Sequence, residues 1–212
     1  MAFYAAFVDA GFLKAEGARA LRRRRGQIFV NAAAVVDWAK SLNLGGNSFL
    51  RVYWYDGEFD PSDSRYASQR KMFEAIERVP GIKLRLGYVV ERTPSWHHAV
   101  QRAIKACGWD VAEFQKHFRF EPVLQQKGVD SLITLDLVYM AEHTGYEWAV
   151  LIAGDRDLEE AVWTAQEEGR KVLLAVPKGA GVAPQLRRTA DEVIELDTAT
   201  LERFLPARQN RS

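Results

Sequence analysis

The chain has 212 residues, 48% apolar and 27% charged, a globular mixture that excludes disordered, collagen-like and coiled-coil classes. Lys and Arg (29) nearly balance Asp and Glu (28), so an anionic partner must be held by a local basic patch rather than by the field of the whole chain. No apolar run reaches the roughly 18 residues of a membrane span, and the single cysteine, Cys107, closes no internal disulfide, so a cytoplasmic protein without membrane contact is expected.

The first apolar run, Phe3–Val8, has no basic residues before it and ends on Asp9, so no secretory leader is expected. Ala32–Leu42 has helical periodicity, and Phe49–Tyr55 (FLRVYWY) reads as a second strand. Asp63–Val79 is helical again. Lys83–Arg92 and Arg119–Gln126 look extended, with Pro122 marking an edge, and Trp96–Phe118 between them is helical in pattern and rich in His and Trp. Leu132–His143 is a helix, Trp148–Ala153 a strand, Leu158–Gly169 a helix closed by glycine, and Lys171–Val176 a strand. Strands alternating with helices in this order predict an α/β fold, a parallel sheet covered on both faces. One domain over 1–205 is expected, with a helical insertion at 93–118 carried on an edge hairpin and a polar, fraying tail at 206–212.

The acids fall at informative places. Asp9 follows the first strand, Asp56 the second, Asp155 and Asp157 the strand WAVLIA, and Asp130 stands at a helix entrance (KGVDSL). Loops after the carboxyl ends of parallel strands meet along one rim, where ligands bind if the strand order reverses. Carboxylates gathered there raise one another's pKa unless a cation joins them, and an all-oxygen set suits Mg²⁺ or Mn²⁺. Each acid also has a plainer role: Asp155 and Asp130 as helix caps, Asp56-Gly57 as a turn. Asp136 lies in a helix apolar on nearly all sides (LITLDLVYMA), where a buried carboxylate needs a partner. It is six positions beyond Asp130, about 240° round the helix, so the two need not face the same ion.

FVDAGFL (7–13), RVYWYDG (51–57), the QKGVDSLITLDLVYMA block (126–141), VLIAGDRDLEEAV (150–162) and LRRTADEVIEL (186–196) together resemble the NYN domain, a branch of the PIN-like nucleases, and within it the bacterial LabA-like group. The resemblance implies a PIN-like three-layer sandwich with a parallel sheet in the order 3-2-1-4-5. It also implies a metal-dependent ribonuclease with Asp9, Asp130, Asp155 and Asp157 as catalytic, metal-binding acids, Asp136 as a further metal ligand, and Mg²⁺ or Mn²⁺ as cofactor. Many members carry Asn two residues after the first Asp; here that position is Gly11.

For RNA as partner, the densest basic run is Arg22, Arg23, Arg24 and Arg25, with Lys14 and Arg19 upstream, and Lys127 stands beside Asp130. Such a patch gives sequence-independent, salt-dependent affinity, although a charge run also serves as a solvated face. The alternative is a non-catalytic PIN-like module that binds RNA or protein, and the insertion's apolar face leaves homo-oligomerisation open. GAGVAP (179–184) imitates a dinucleotide loop but has Pro184 at the third glycine. His97, His98, Cys107 and His117 lack zinc-ligand spacing.

Overall fold

A computed structural model describes residues 2–92, 98–118 and 123–208. Strand β1 (Phe3–Asp9) leads into helix α1 (Ala10–Ala20), and a short turn at Arg25–Gln27 leads to α2 (Ala32–Ser41). Strand β2 (Ser48–Glu58), helix α3 (Tyr66–Glu77) and strand β3 (Ile82–Arg92) follow. Helices α4 (His98–Ala106) and α5 (Val111–His117) occupy the insertion, which returns as strand β4 (Val123–Lys127). The rest is α6 (Val129–Glu142), β5 (Trp148–Ile152), α7 (Glu159–Glu167), β6 (Lys171–Pro177), α8 (Pro184–Thr189), β7 (Glu192–Leu196) and α9 (Thr198–Phe204).

The strands form one seven-stranded sheet in the order β4-β3-β2-β1-β5-β6-β7. All pairs are parallel except β3–β4, the expected edge hairpin. The order differs in detail from the five-strand expectation. The parallel strands, counted along the chain, follow 3-2-1-4-5 with β7 as a sixth, and β4 lies beyond the third. β7 was hidden because EVIEL is short and half-exposed, with glutamates at its first and fourth places that break the alternation of a strand.

The central strands are buried on both faces, so alternate residues feed two cores. Tyr4, Ala6, Val8, Val52, Trp54, Val150 and Ile152 face one core, with α1, α2, the buried side of α3 and α9 packed over them. Ala5, Phe7, Tyr53, Tyr55, Leu151, Leu174 and Val176 face the other, under α6, α7 and α8. A three-layer α/β/α arrangement results. No helix among the described residues is long and apolar enough to cross a membrane.

Two expectations are corrected. The segment Pro206–Arg208 does not fray: Phe29 donates its N–H to the Pro206 carbonyl at 3.1 Å, Arg208 to that of Gln27 at 2.8 Å, and Ile28 bridges Ala207. Unpaired backbone beside the buried Ile28 would be costly, and this pairing removes it. Asp136 is not available to a metal. Arg85 on β3 clasps it through two nitrogens, at 2.8 and 2.9 Å, and the Tyr55 hydroxyl donates to it at 2.9 Å. Burial and this carboxylate together hold the Tyr55 hydroxyl well above the ordinary phenol range. The sequence demanded a partner for Asp136; that partner is an arginine 51 positions earlier, and it pins α6 to the sheet. Asp136→Ala is therefore expected to destabilise by about 1–3 kcal/mol in denaturant unfolding, because Arg85 is left partly buried without its counter-charge. Divalent-ion binding is expected to be unchanged.

Candidate metal and nucleic-acid site

Strand β1 is flanked by β2 on one side and β5 on the other, and the chain runs outward in opposite directions from that pair. The loops after β1 and β5 therefore diverge, leaving a crevice at the carboxyl rim. Asp9 ends β1 and caps α1, its Oδ1 accepting the Phe12 N–H at 3.0 Å. Asp155 follows β5 and caps the next turn, accepting the Asp157 N–H at 3.1 Å, so its capping role is real and, among the described residues, its second oxygen has no protein donor. Both Asp155 and Asp157 are exposed. Gly154, just before them, lies so close to α1 that a Cβ would fall 2.2 Å from the Phe12 ring, which draws the two loops together.

Asp130 is not the helix cap that the sequence allowed. Gly128, in the left-handed region at φ 77°, takes that place, and Asp130 stands half-buried in the first turn of α6. Glycine meets the left-handed requirement at no steric cost.

The electrostatics tie these acids to one another. Asp9 is pushed up to about 6, first by loss of water around it and further by the charges of Asp130 and Asp56, against the opposing pull of the Phe12 amide. Asp130 is raised by burial and by the charges of Asp155 and Asp157, with Lys127 pulling the other way. Four acids from three separate segments thus share one field, and none of the four is in a salt bridge among the described residues. They stand apart rather than clenched: among the described residues no three His, Cys, Asp or Glu side chains come together at the spacing of a ready-made metal cage. Oxygen-only donors whose mutual repulsion a cation would relieve fit a hard divalent ion in chemistry.

The sequence passed over Asp56. Strand β2 runs straight through Asp56-Gly57 to Glu58 instead of turning there. Asp56 is the one fully buried charged residue described, 2% exposed. Lys14 of α1 reaches its Oδ2 at 2.8 Å, while Gln126 of β4 and the Gly57 N–H donate to Oδ1 at 2.6 and 2.9 Å. An Asp-Gly pair after an aromatic run carries a strong turn signal, and nothing local announces these distant donors.

Asp9, Asp56 and Asp155 open onto a cleft of about 1510 Å³ between the α1–α2 connection and α3. Lys14, Arg25, Arg65 and Arg208 line it together with Asp9, Asp56 and Asp155. The four-arginine run does not act as one patch. Arg23 is half-buried and turned away, donating to the Leu205 carbonyl at 3.4 Å and pairing with Glu202 at 3.1 Å, because the end of α1 packs against α9. Arg22 and Arg24 are exposed, and Arg25 alone of the four lines the cleft. Lys127 is half-buried next to the acids, close enough to lower Asp130. His97 lies outside the described residues. Cys107 is exposed on the insertion, and His117 makes only a surface contact with Glu113.

With this geometry in place, the chain belongs to the NYN domain family, whose profile matches residues 51–197; NYN domains are part of the PIN-like nuclease superfamily. The uncharacterized protein y4oD of Sinorhizobium fredii is 43% identical over 86 residues, a match that spans 40% of this chain and only 40% of that one. A crystal structure of a protein of unknown function, VPA0982 from Vibrio parahaemolyticus, superposes over 96% of both chains with a TM-score of 0.58 and 17% identity, a likeness of fold. MurG from Acinetobacter baumannii matches 93% of this chain and 43% of its own at a TM-score of 0.38 and 14% identity.

The raised Asp9 has a definite consequence for stability. A carboxyl whose folded pKa exceeds its unfolded value favours the folded state below the unfolded pKa, and that contribution is lost as pH rises through the folded value. Asp9→Asn keeps a capping oxygen for Phe12 and removes the charge. In chelator, the variant and the wild type should melt alike near pH 4. The variant should be the more stable by pH 7, by about 1–2 kcal/mol once the water reaching a half-buried group is discounted. Thermal unfolding across that window checks this, and a constant difference between the two proteins at every pH would overturn it.

Proposed function

We propose that the protein is a divalent-metal-dependent ribonuclease, and that Asp9, Asp130, Asp155 and Asp157 hold Mg²⁺ or Mn²⁺ at the β1/β5 crevice. The observation carrying this reading is the shared field of those acids, which leaves Asp9 and Asp130 above their ordinary pKa at the rim of a nuclease-family fold. A negative crevice without a counter-ion would repel a phosphodiester, so the arrangement has use chiefly when a cation completes it. Bound there, a divalent ion supplies Lewis-acid stabilisation of the phosphate oxygens and an acidified water.

The protein's own part is placement. Asp9 is fixed by its cap on α1 and Asp155 by its cap on the turn after β5, so neither carboxylate needs to reorganise. Lys14 at the cleft floor and Arg25 on its wall present cations to phosphate oxygens, and Lys127 tempers Asp130. A single RNA strand laid along the cleft would meet both Arg25 and Asp9. We read residues 1–205 as one catalytic unit of LabA-like type working in the cytoplasm. The separated acids favour one competing reading, an RNA- or protein-binding module that does not cut.

Mixed RNA incubated with the protein should be cut with Mg²⁺ or Mn²⁺, spared in chelator, and cut again when metal is titrated back. Asp9→Asn and Asp130→Asn should each lose on the order of a hundredfold or more in rate while remaining folded. Metal-independent binding with no cleavage under any condition would leave the binding module. Arg25→Ala should weaken RNA binding and reduce its salt slope by about 0.7, the share of one phosphate contact on a single strand. Arg23→Ala should lower thermal stability and leave that slope alone; the reverse pattern would remove Arg25 from the substrate path.

A further inference from the structure

Strand β4 does more than end the insertion. From Gln126 to Asp130 the chain enters the site residue by residue, and its path is cut through positions that lack side chains. A Cβ at Gly87 would fall 2.4 Å from the Lys127 carbonyl oxygen, so only a glycine on β3 lets this segment pass. A Cβ at Gly57 would fall 2.8 Å from Gln126 Cγ. A Cβ at Gly11 would fall 2.3 Å from Gln126 Oε1 and 3.2 Å from Asp9 Oδ1. The Gln126 side chain therefore lies in a slot formed by two bare backbones, one on β2 and one on α1, with its tip beside Asp9.

The hydrogen bonds define what the tip does. A buried carboxylate oxygen requires a donor, so the amide presents Nε2 to Asp56 Oδ1, at 2.6 Å, and turns Oε1 toward Gly11. Gly57 N–H fills the second site on that oxygen, which leaves Oδ2 for Lys14. Asp56 is sealed at 2% exposure, whereas Lys14 is 28% exposed and faces the cleft. Gln126 thereby fixes the orientation of the Asp56 carboxylate, and the carboxylate fixes the ammonium group.

We propose that Gln126 is a positioning residue: it fills the Gly11–Gly57 slot and, through Asp56, holds the Lys14 ammonium in the cleft that Asp9 also lines. A Cβ at position 11 would push the Gln126 amide out of the slot and away from Asp56. Only the statement that the held ammonium meets an RNA phosphate rests on the ribonuclease reading.

Three variants in the full chain test it. Gly11→Ala in the wild type should lower the Tm by about 5 °C through the clash with Gln126. In the Gln126→Ala background the same change should cost much less, because only the 3.2 Å approach to Asp9 Oδ1 remains and alanine suits a helix better than glycine. Gln126→Met fills the slot without donating. It should keep most of the stability, yet raise the rate at which an amine-reactive acetylating reagent labels Lys14, several-fold by peptide mass spectrometry. Where the wild type cuts RNA, the same variant should lose about ten- to a hundredfold in kcat. An equal effect of Gly11→Ala in both backgrounds, or Lys14 labelling unchanged in Gln126→Met, overturns the proposal. A wild type that never cleaves RNA, with both of those results as expected, overturns the ribonuclease reading and leaves this one standing.

Discussion

In a parallel sheet whose chain leaves the middle in both directions, the two central loops cannot follow each other, and the space they vacate must be filled by solvent, side chains or a ligand. Here the middle is β1 between β2 and β5, and what lines the space is negative charge. Everything distinctive about the molecule is a response to that charge. The surrounding sheet is apolar on both faces and offers no dielectric relief, so each carboxylate near it must find its own answer.

The acids find different answers, and the differences sort their roles. Asp136 is clasped by Arg85 and Tyr55 and belongs to the architecture. Asp56 is sealed with Lys14, Gln126 and a backbone amide, a neutralised pair whose cationic end still faces the cleft. Asp9 and Asp130 receive no salt bridge among the described residues, and each carries the repulsion of its neighbours. Charge left unanswered in a fold that answers it elsewhere is what the proposed cation would complete.

The sequence was legible where physics is local. Runs such as FYAAFV and WAVLIA announce strands buried on both faces, and the acids at their ends announce the rim. Asp136 could be recognised as needing a partner, but not as having Arg85, because tertiary packing supplies an arginine from a strand edge with no periodic mark. Asp56 was disguised by the turn chemistry of the glycine after it, when that glycine is in fact bare to admit Gln126. The arginine run looked uniform on paper. Helix packing separates it, turning Arg23 inward to Glu202 and leaving Arg25 at the cleft.

The bridge between Ile28 and Ala207 spans nearly the whole polypeptide: Arg208 donates to Ile28 across 180 positions. Contacts of such separation carry the largest loop-closure cost and come after shorter-range ones in assembly. The wall that bears Arg25 is thus braced by a clasp between the two ends of the chain. Loosening that clasp would shift one wall of the cleft while leaving the sheet that carries the acids in place.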